Sequence, residues 1–338
     1  MRYGIAMVGT GYMARKHCDV LASREDARLR VVCSTERSSG VAAQFKEQYG
    51  FAHATTDYDA ALSDAAVKLV FVCSPDGTHA DYVVRALGAG KHVFCEKPLG
   101  RTAEEFRRVR EGLDASGRVL QVGMNCRFRE QYSIPKRMVE DGELGGLRFL
   151  RGTYIYNAVS SVRGRQKPWA LEYPPGLYPF MHGGGIHCLD LLRWVGGEVK
   201  SVFARATGFE LADDWGADTF LVSLEFEGGA MGELLASASA FRPNDFSLEL
   251  WLGGGSIIGT NIFRRDGDGL ASERGEIIVR QEVIDLGLQY ADFVRAIESG
   301  GPPLNSFAEA YENFRVLRAV ELSAREGKPV DPRGLTNL

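Results

Sequence analysis

Apolar and polar positions alternate along this chain in two different rhythms. Up to about residue 124, short apolar runs at 3–8, 28–33, 68–73, 91–95 and 118–122 are separated by segments with helical spacing at 12–22, 38–49, 57–63, 78–89 and 102–116. Buried strands that alternate with helices imply right-handed crossovers and a parallel, doubly wound sheet. The punctuation agrees. Gly88-Ala89-Gly90 stops a helix before a strand, and Thr102-Ala103-Glu104-Glu105 reads as a helix N-cap with acidic residues in the first turn. After residue 125 strand-like segments follow one another at 147–156, 199–207, 217–227, 230–239, 246–252 and 276–283, with Glu227-Gly228-Gly229-Ala230 placed as a hairpin turn. Serial strands imply an open, mainly antiparallel sheet. Helical spacing returns at 289–299 and 306–325. The expected organisation is therefore a dinucleotide-type parallel domain over 1–124 and an α/β domain over 125–338.

The length of 338 residues supports two domains. With 45% apolar and 25% charged residues, a packed soluble protein is expected. A net charge of −4 offers no case for nucleic acid or an anionic membrane as partner. No apolar run approaches a membrane span, and the first strand begins too early for a signal peptide, so a cytoplasmic location is expected. The cysteines at 18, 33, 73, 95, 126 and 188 lie far apart, several inside apolar runs. They read as buried thiols, and no metal site is expected.

The first chemistry-bearing feature is the turn after the first strand, Gly9-Thr10-Gly11-Tyr12-Met13-Ala14. In a G-x-G-x-x-A turn the first glycine permits the tight bend. The second lets the backbone approach a pyrophosphate, and the alanine allows the helix to pack closely on the strand. The helix start then offers free N–H groups to an anion. An NAD site usually carries an acid about 20 residues further on, at the end of the second strand. Here that stretch is Ser34-Thr35-Glu36-Arg37. A hydroxyl and a guanidinium suit a 2′-phosphate, so NADP is expected in preference to NAD. Glu36 reaching a ribose diol, with Arg37 as solvated helix-start charge, is the alternative.

Two further strand ends carry polar clusters: Ser74-Pro75-Asp76-Gly77-Thr78-His79, and Glu96-Lys97-Pro98 after an apolar run. Open α/β sheets bind ligands outside such ends. A lone E-K-P reads equally well as a surface turn. Taken together, the segments 9–14, 74–79, AGKHVFCEKPL at 89–99, QVGMNCRF at 121–128 and GGGIHCLDLLRW at 183–194 resemble the glucose–fructose oxidoreductase, inositol dehydrogenase and MocA-type (Gfo/Idh/MocA) family. AVELSAREGKPV at 319–330 is similar to that family's closing helix.

The resemblance implies a Rossmann domain followed by a domain with a large open sheet that assembles into homodimers or homotetramers. It implies hydride transfer between a nicotinamide and a hydroxyl or keto group of a sugar, sugar derivative or cyclitol. Cofactor contacts are expected from Gly9 to Ala14, Ser34, Thr35, Arg37, Ser74, Pro75, Asp76, His79, Glu96 and Lys97. Lys97 matches the family's E-K-P lysine, His187 its catalytic histidine, and Asp190 a final acid of structural character. The chain departs from the pattern at Gly183, where an aspartate usually pairs with the histidine. His182 stands beside it as a substitute. Without the resemblance, His187 would read as a helix-packing residue beside Leu189, Leu191 and Leu192. Lys97, Tyr154, Tyr156, Trp169, His182 and His187 are expected to line a pocket for a polyhydroxylated ring, with Arg127, Arg163 and Arg165 available to an anionic group. The segment 158–181, rich in aromatics and prolines, is expected to cover the site. Two other function classes fit the same residues: a redox-neutral lyase, epimerase or glycosidase with retained NAD, and a non-catalytic binding protein.

Overall fold

In the computed structural model, residues 2–335 are described, apart from 165–172, 175, 278 and 280–285. In chain order the elements are β1 (Tyr3–Val8), α1 (Tyr12–Leu21), β2 (Ala27–Cys33), α2 (Ser39–Tyr49), β3 (His53–Thr55), α3 (Tyr58–Ser63), β4 (Val67–Val72), α4 (His79–Gly88), β5 (His92–Cys95), α5 (Ala103–Ser116), β6 (Leu120–Val122) and α6 (Glu130–Glu140). Then follow β7 (Leu147–Ile155), α7 (Val159–Arg163), a π-helical turn (Met181–Gly185), α8 (Ile186–Gly196), β8 (Val199–Thr207), α9 (Ala212–Trp215), β9 (Thr219–Phe226), β10 (Met231–Ser237), β11 (Asp245–Leu252), β12 (Gly255–Ile258), β13 (Asn261–Asp266), β14 (Gly269–Glu276), α10 (Leu286–Ser299) and α11 (Phe307–Glu326).

The chain divides into two compact units, Met1–Asn125 with Asp285–Tyr311, and Cys126–Ile284 with Glu312–Asn337. The first holds a six-stranded sheet in the order β3-β2-β1-β4-β5-β6, with every neighbouring pair parallel. The order reverses between β1 and β4, which makes the carboxyl ends of those strands the switch point where such sheets bind ligands. β1 is buried along its whole length because helices cover both faces of a parallel sheet. Phe71 and Phe94 stack on one face of this sheet and meet Phe293 of α10 edge-on. That apolar contact explains why α10 belongs to the first unit, whereas its place late in the chain groups it with the second. Thr102 and Glu105 form the expected capping box on α5.

The second unit holds an eight-stranded sheet in the order β14-β13-β12-β11-β7-β10-β9-β8. All its pairings are antiparallel except β7 with β10. Alternation is clean: on β9, Phe220, Val222, Leu224 and Phe226 are buried while Leu221, Ser223 and Glu225 are exposed. The buried face packs on α8, and Gly152 of β7 makes this approach possible, since a Cβ there would stand 2.4 Å from Cys188 Sγ. The last described strand is β14 at Gly269–Glu276, and most of the strand expected over 276–283 lies outside the described residues. Helix α6 escapes the periodicity reading because Pro135 sits inside it, although Tyr132, Pro135 and Met138 form its buried stripe.

Candidate active site

The cofactor side is built by the turns at the carboxyl ends of the parallel strands. Gly9 has φ +100, and a Cβ on it would lie 2.5 Å from the Cys73 carbonyl oxygen. Only glycine fits a bend that tight against the end of β4. Gly11 is the N-cap of α1 and has extended backbone. A Cβ there would meet nothing within 4 Å, so the space above the helix start is open. No side chain caps α1, and its first turn carries no acid. The first-turn N–H groups therefore point to open space with the positive end of the helix dipole behind them, which fits a pyrophosphate. Ala14 is fully buried against the sheet.

At the end of β2, the Ser34 hydroxyl donates to the Thr35 carbonyl, and the exposed Glu36 accepts a short hydrogen bond from Thr56 Oγ1. Arg37 is exposed, with no ion pair among the described residues. At the end of β4, Ser74 Oγ and Thr78 Oγ1 lie 2.8 Å apart, and Asp76 Oδ1 accepts from the Gly77 N–H. His79 is buried, with Nδ1 2.7 Å from the Pro98 carbonyl and Nε2 2.8 Å from that of Ser74. Its ring thus ties the turn after β4 to the turn after β5. Glu96 is also buried and lies 2.9 Å from His17 Nε2. Asp76, His79 and Glu96, expected as cofactor contacts, are buried at these strand-end turns, which their hydrogen bonds help hold in shape. His17 was not among the expected residues. Its signal was a polar side chain on the face of α1 that buries Ala14, Cys18 and Leu21. Lys97 follows β5 directly and is half-buried, on a cis peptide bond to Pro98.

In the second unit, the π-helical turn delivers His187 at the start of α8. Two of its three glycines sit where a Cβ would crowd neighbouring side chains. A Cβ on Gly184 would lie 2.7 Å from the Tyr154 ring, and one on Gly185 2.6 Å from Met181 Sδ. His187 is half-buried, and its Nδ1 lies 3.7 Å from Cys126 Sγ. Tyr154 packs against Phe180 and Phe246. Burial, reinforced by neighbouring thiols, pushes its phenol up to about 12, so it remains a hydrogen-bond donor at neutral pH. Tyr156 is exposed.

Three expected substrate contacts have partners within the protein. Arg127 is buried, and its Nε and Nη2 clamp the Asp190 carboxylate at 2.9 and 2.6 Å. Asn313 donates to the same carboxylate and accepts from Arg193. Arg127 thus joins a buried network that fixes α8. Arg163 is exposed and donates to both the backbone and the carboxylate of Glu210. His182 is wholly buried, with Nε2 2.9 Å from Glu321 Oε1 and with Nδ1 lacking a partner among the described residues. It packs between the π-turn and α11, and neither of its ring nitrogens bonds to His187. Nothing in the local sequence announces Glu321 or Asn313, which arrive from α11. Trp169 and Arg165 lie outside the described residues, as does much of the expected cover at 158–181.

Residues 3–124 match the model of an oxidoreductase family with an NAD-binding Rossmann fold, and residues 134–258 match the GFO/IDH/MocA C-terminal domain. The chain belongs to the Gfo/Idh/MocA oxidoreductase family. It is accordingly a nicotinamide-dependent enzyme of the dehydrogenase and reductase type. Among its relatives, a myo-inositol 2-dehydrogenase of Thermotoga maritima is 29% identical over 98% of both chains. A levoglucosan dehydrogenase of Pseudarthrobacter phenanthrenivorans is 25% identical over 97% of both. A solved structure of a probable dehydrogenase from Thermotoga maritima superposes with a TM-score of 0.81 at 26% identity, covering 98% of this chain and 99% of that one. Within the Gfo/Idh/MocA pattern, the exposed Gly183 is the local departure, and the imidazole of His187 faces a thiol at Cys126.

Proposed function

We propose that this protein transfers a hydride between NADP and a hydroxyl or keto group of a sugar, sugar derivative or cyclitol, with Lys97 and His187 handling the proton. The observation that carries the reading lies within the parallel sheet. Lys97 leaves β5 at the same carboxyl-end edge where the Gly9 turn leaves β1, two strands away, or about 10 Å. A cation is thereby placed beside the switch point. When bound, the nicotinamide ring supplies the hydride acceptor or donor.

In the oxidation direction the substrate hydroxyl proton passes to His187, whose imidazole is a competent acceptor near pH 7. The Lys97 ammonium stabilises the developing negative oxygen. Tyr154, kept protonated, donates a hydrogen bond to a ring hydroxyl. The names of the relatives, inositol and levoglucosan dehydrogenases, support a polyhydroxylated ring as substrate. The NADP preference is supported by the exposed Arg37 and by Glu36 being engaged by Thr56. The exposed face of the second sheet is read as a homo-oligomer interface. Gly183, in place of the usual aspartate, favours one second reading, a redox-neutral reaction with retained NAD.

The test is turnover of sugars and cyclitols with either cofactor by Lys97→Met and His187→Ala. Each change is expected to lower turnover by about 10²- to 10⁴-fold with cofactor affinity nearly intact. Normal turnover after either change overturns the mechanism. Turnover without net change in the nicotinamide identifies the redox-neutral reading.

A further inference from the structure

A histidine that acts as a base needs one bare nitrogen, and its other nitrogen must hold the proton that keeps it so. Gly183 brings no carboxylate to do this, and neither ring nitrogen of His182 bonds to His187. His187 Nδ1 does face the thiol of Cys126, at 3.7 Å. The contact is held from both sides. Cys126 is 2% exposed, on the 3-10 turn Asn125–Phe128. Its neighbour Arg127 clamps Asp190, one turn after His187 on α8. The turn that carries the thiol and the helix that carries the imidazole are therefore locked together by a buried bidentate pair.

We propose that Cys126 is the positioning residue for His187, its sulfur accepting the Nδ1–H so that the ring holds the tautomer whose lone pair, on Nε2, takes the substrate proton. This rests on the reading of His187 as the base. The proton moves from the substrate oxygen to Nε2, and Nδ1 keeps its own proton and its contact with sulfur throughout. Sulfur is a weak acceptor, so it supplies orientation more than binding energy. A neutral thiol also does not hold the imidazole in its charged form as a carboxylate does. Burial raises Tyr132, Tyr154 and Cys188 on α6, β7 and α8, with Cys126 a further cause in each, and Arg129 acts weakly in the opposite sense on the two tyrosines. Asp190 is neutralised by Arg127.

The experiment is long-range ¹⁵N–¹H correlation on the full chain, which reads histidine tautomers directly. The chain has six histidines, and His187→Gln identifies the signal of interest. At neutral pH the unmodified protein is expected to show Nδ1–H with a bare Nε2 at His187. In Cys126→Ala that signal moves toward the other tautomer. Turnover of Cys126→Ala falls about ten- to hundredfold at nearly unchanged KM, as for other residues that orient a functional imidazole. Cys126→Ser, whose oxygen also accepts a hydrogen bond, recovers most of that loss. An unchanged tautomer in Cys126→Ala overturns the proposal, as does an imidazolium with both nitrogens protonated in the unmodified protein, which would mark a thiolate pair. If His187→Gln is inactive while Cys126→Ala turns over normally, the role of Cys126 fails and that of His187 stands. If His187→Gln turns over normally, the base assignment fails, and the tautomer shift alone then decides whether the contact orients the ring.

Discussion

The guanidinium of Arg127 and the carboxylate of Asp190 form a bidentate pair with essentially no exposure, 2.6 Å apart at the closest atoms. Breaking a buried pair leaves an uncompensated charge. Arg127→Met is therefore expected to lower unfolding free energy by about 3–5 kcal/mol, measured by urea denaturation. A variant of normal stability with only a raised KM would return Arg127 to the substrate.

Gly9 and Gly11 should separate in their effects. Gly9→Ala places a methyl group against the Cys73 carbonyl at a positive φ, so it should lower both thermal stability and cofactor binding. Gly11→Ala meets no protein atom within 4 Å, so its melting temperature should be unchanged while nucleotide affinity falls. Equal losses of stability in the two variants would contradict the cradle.

Arg37→Ala should weaken NADP by about 1–3 kcal/mol, the usual worth of a charge-assisted contact, and leave NAD unaffected. Fluorescence titration with both nucleotides checks this. Equal binding of the two before and after the change would remove the contact.

His92 accepts a hydrogen bond at Nδ1 from the Val119 N–H. Burial, and then the charge of Arg118, lower its pKa to about 4. In the unfolded chain histidine titrates near about 6.5. Below that value the unfolded state binds the proton more readily. The contribution of His92 is thus complete above about pH 6.5 and is lost as pH falls towards 4. Denaturation midpoints should decline across this window, and less steeply in His92→Gln. Parallel declines in the two proteins would show that His92 is not the group responsible.

On the outer face of the second sheet, Trp251, Phe149 and Met231 lie side by side on β11, β7 and β10, and Leu221 pairs with Leu235. Met231 is 60% exposed and Leu221 51%. These two apolar clusters, on either side of the ion-paired row Glu249, Arg151 and Glu233, are expected to meet a second copy of the chain. Light scattering should report a dimer or tetramer at micromolar concentration. Met231→Glu combined with Leu221→Glu should give a folded monomer. A monomeric unmodified protein would end the idea.

The sequence by itself determined the two rhythms of secondary structure, the Gly9–Ala14 turn, and the positions of Lys97 and His187. These are local signals: periodicity, a glycine where the backbone bends, and a charge at a strand end. The short strand β3 and the proline-bearing α6 carry too little period to register. Tertiary structure alone decided which groups the polar residues meet within the protein. Glu96, His79, Asp76, Arg127 and His182 are expected site residues by type and position. Each is buried, where an unpartnered polar group is costly, and their partners come mostly from distant segments. His17 meets Glu96, Asp190 gathers Arg127 and Asn313, and Glu321 reaches His182 from a helix more than a hundred residues away. The proximity of Cys126 to His187 is of the same kind. It depends on which faces of a turn and a helix are packed together, and a linear pattern does not encode that.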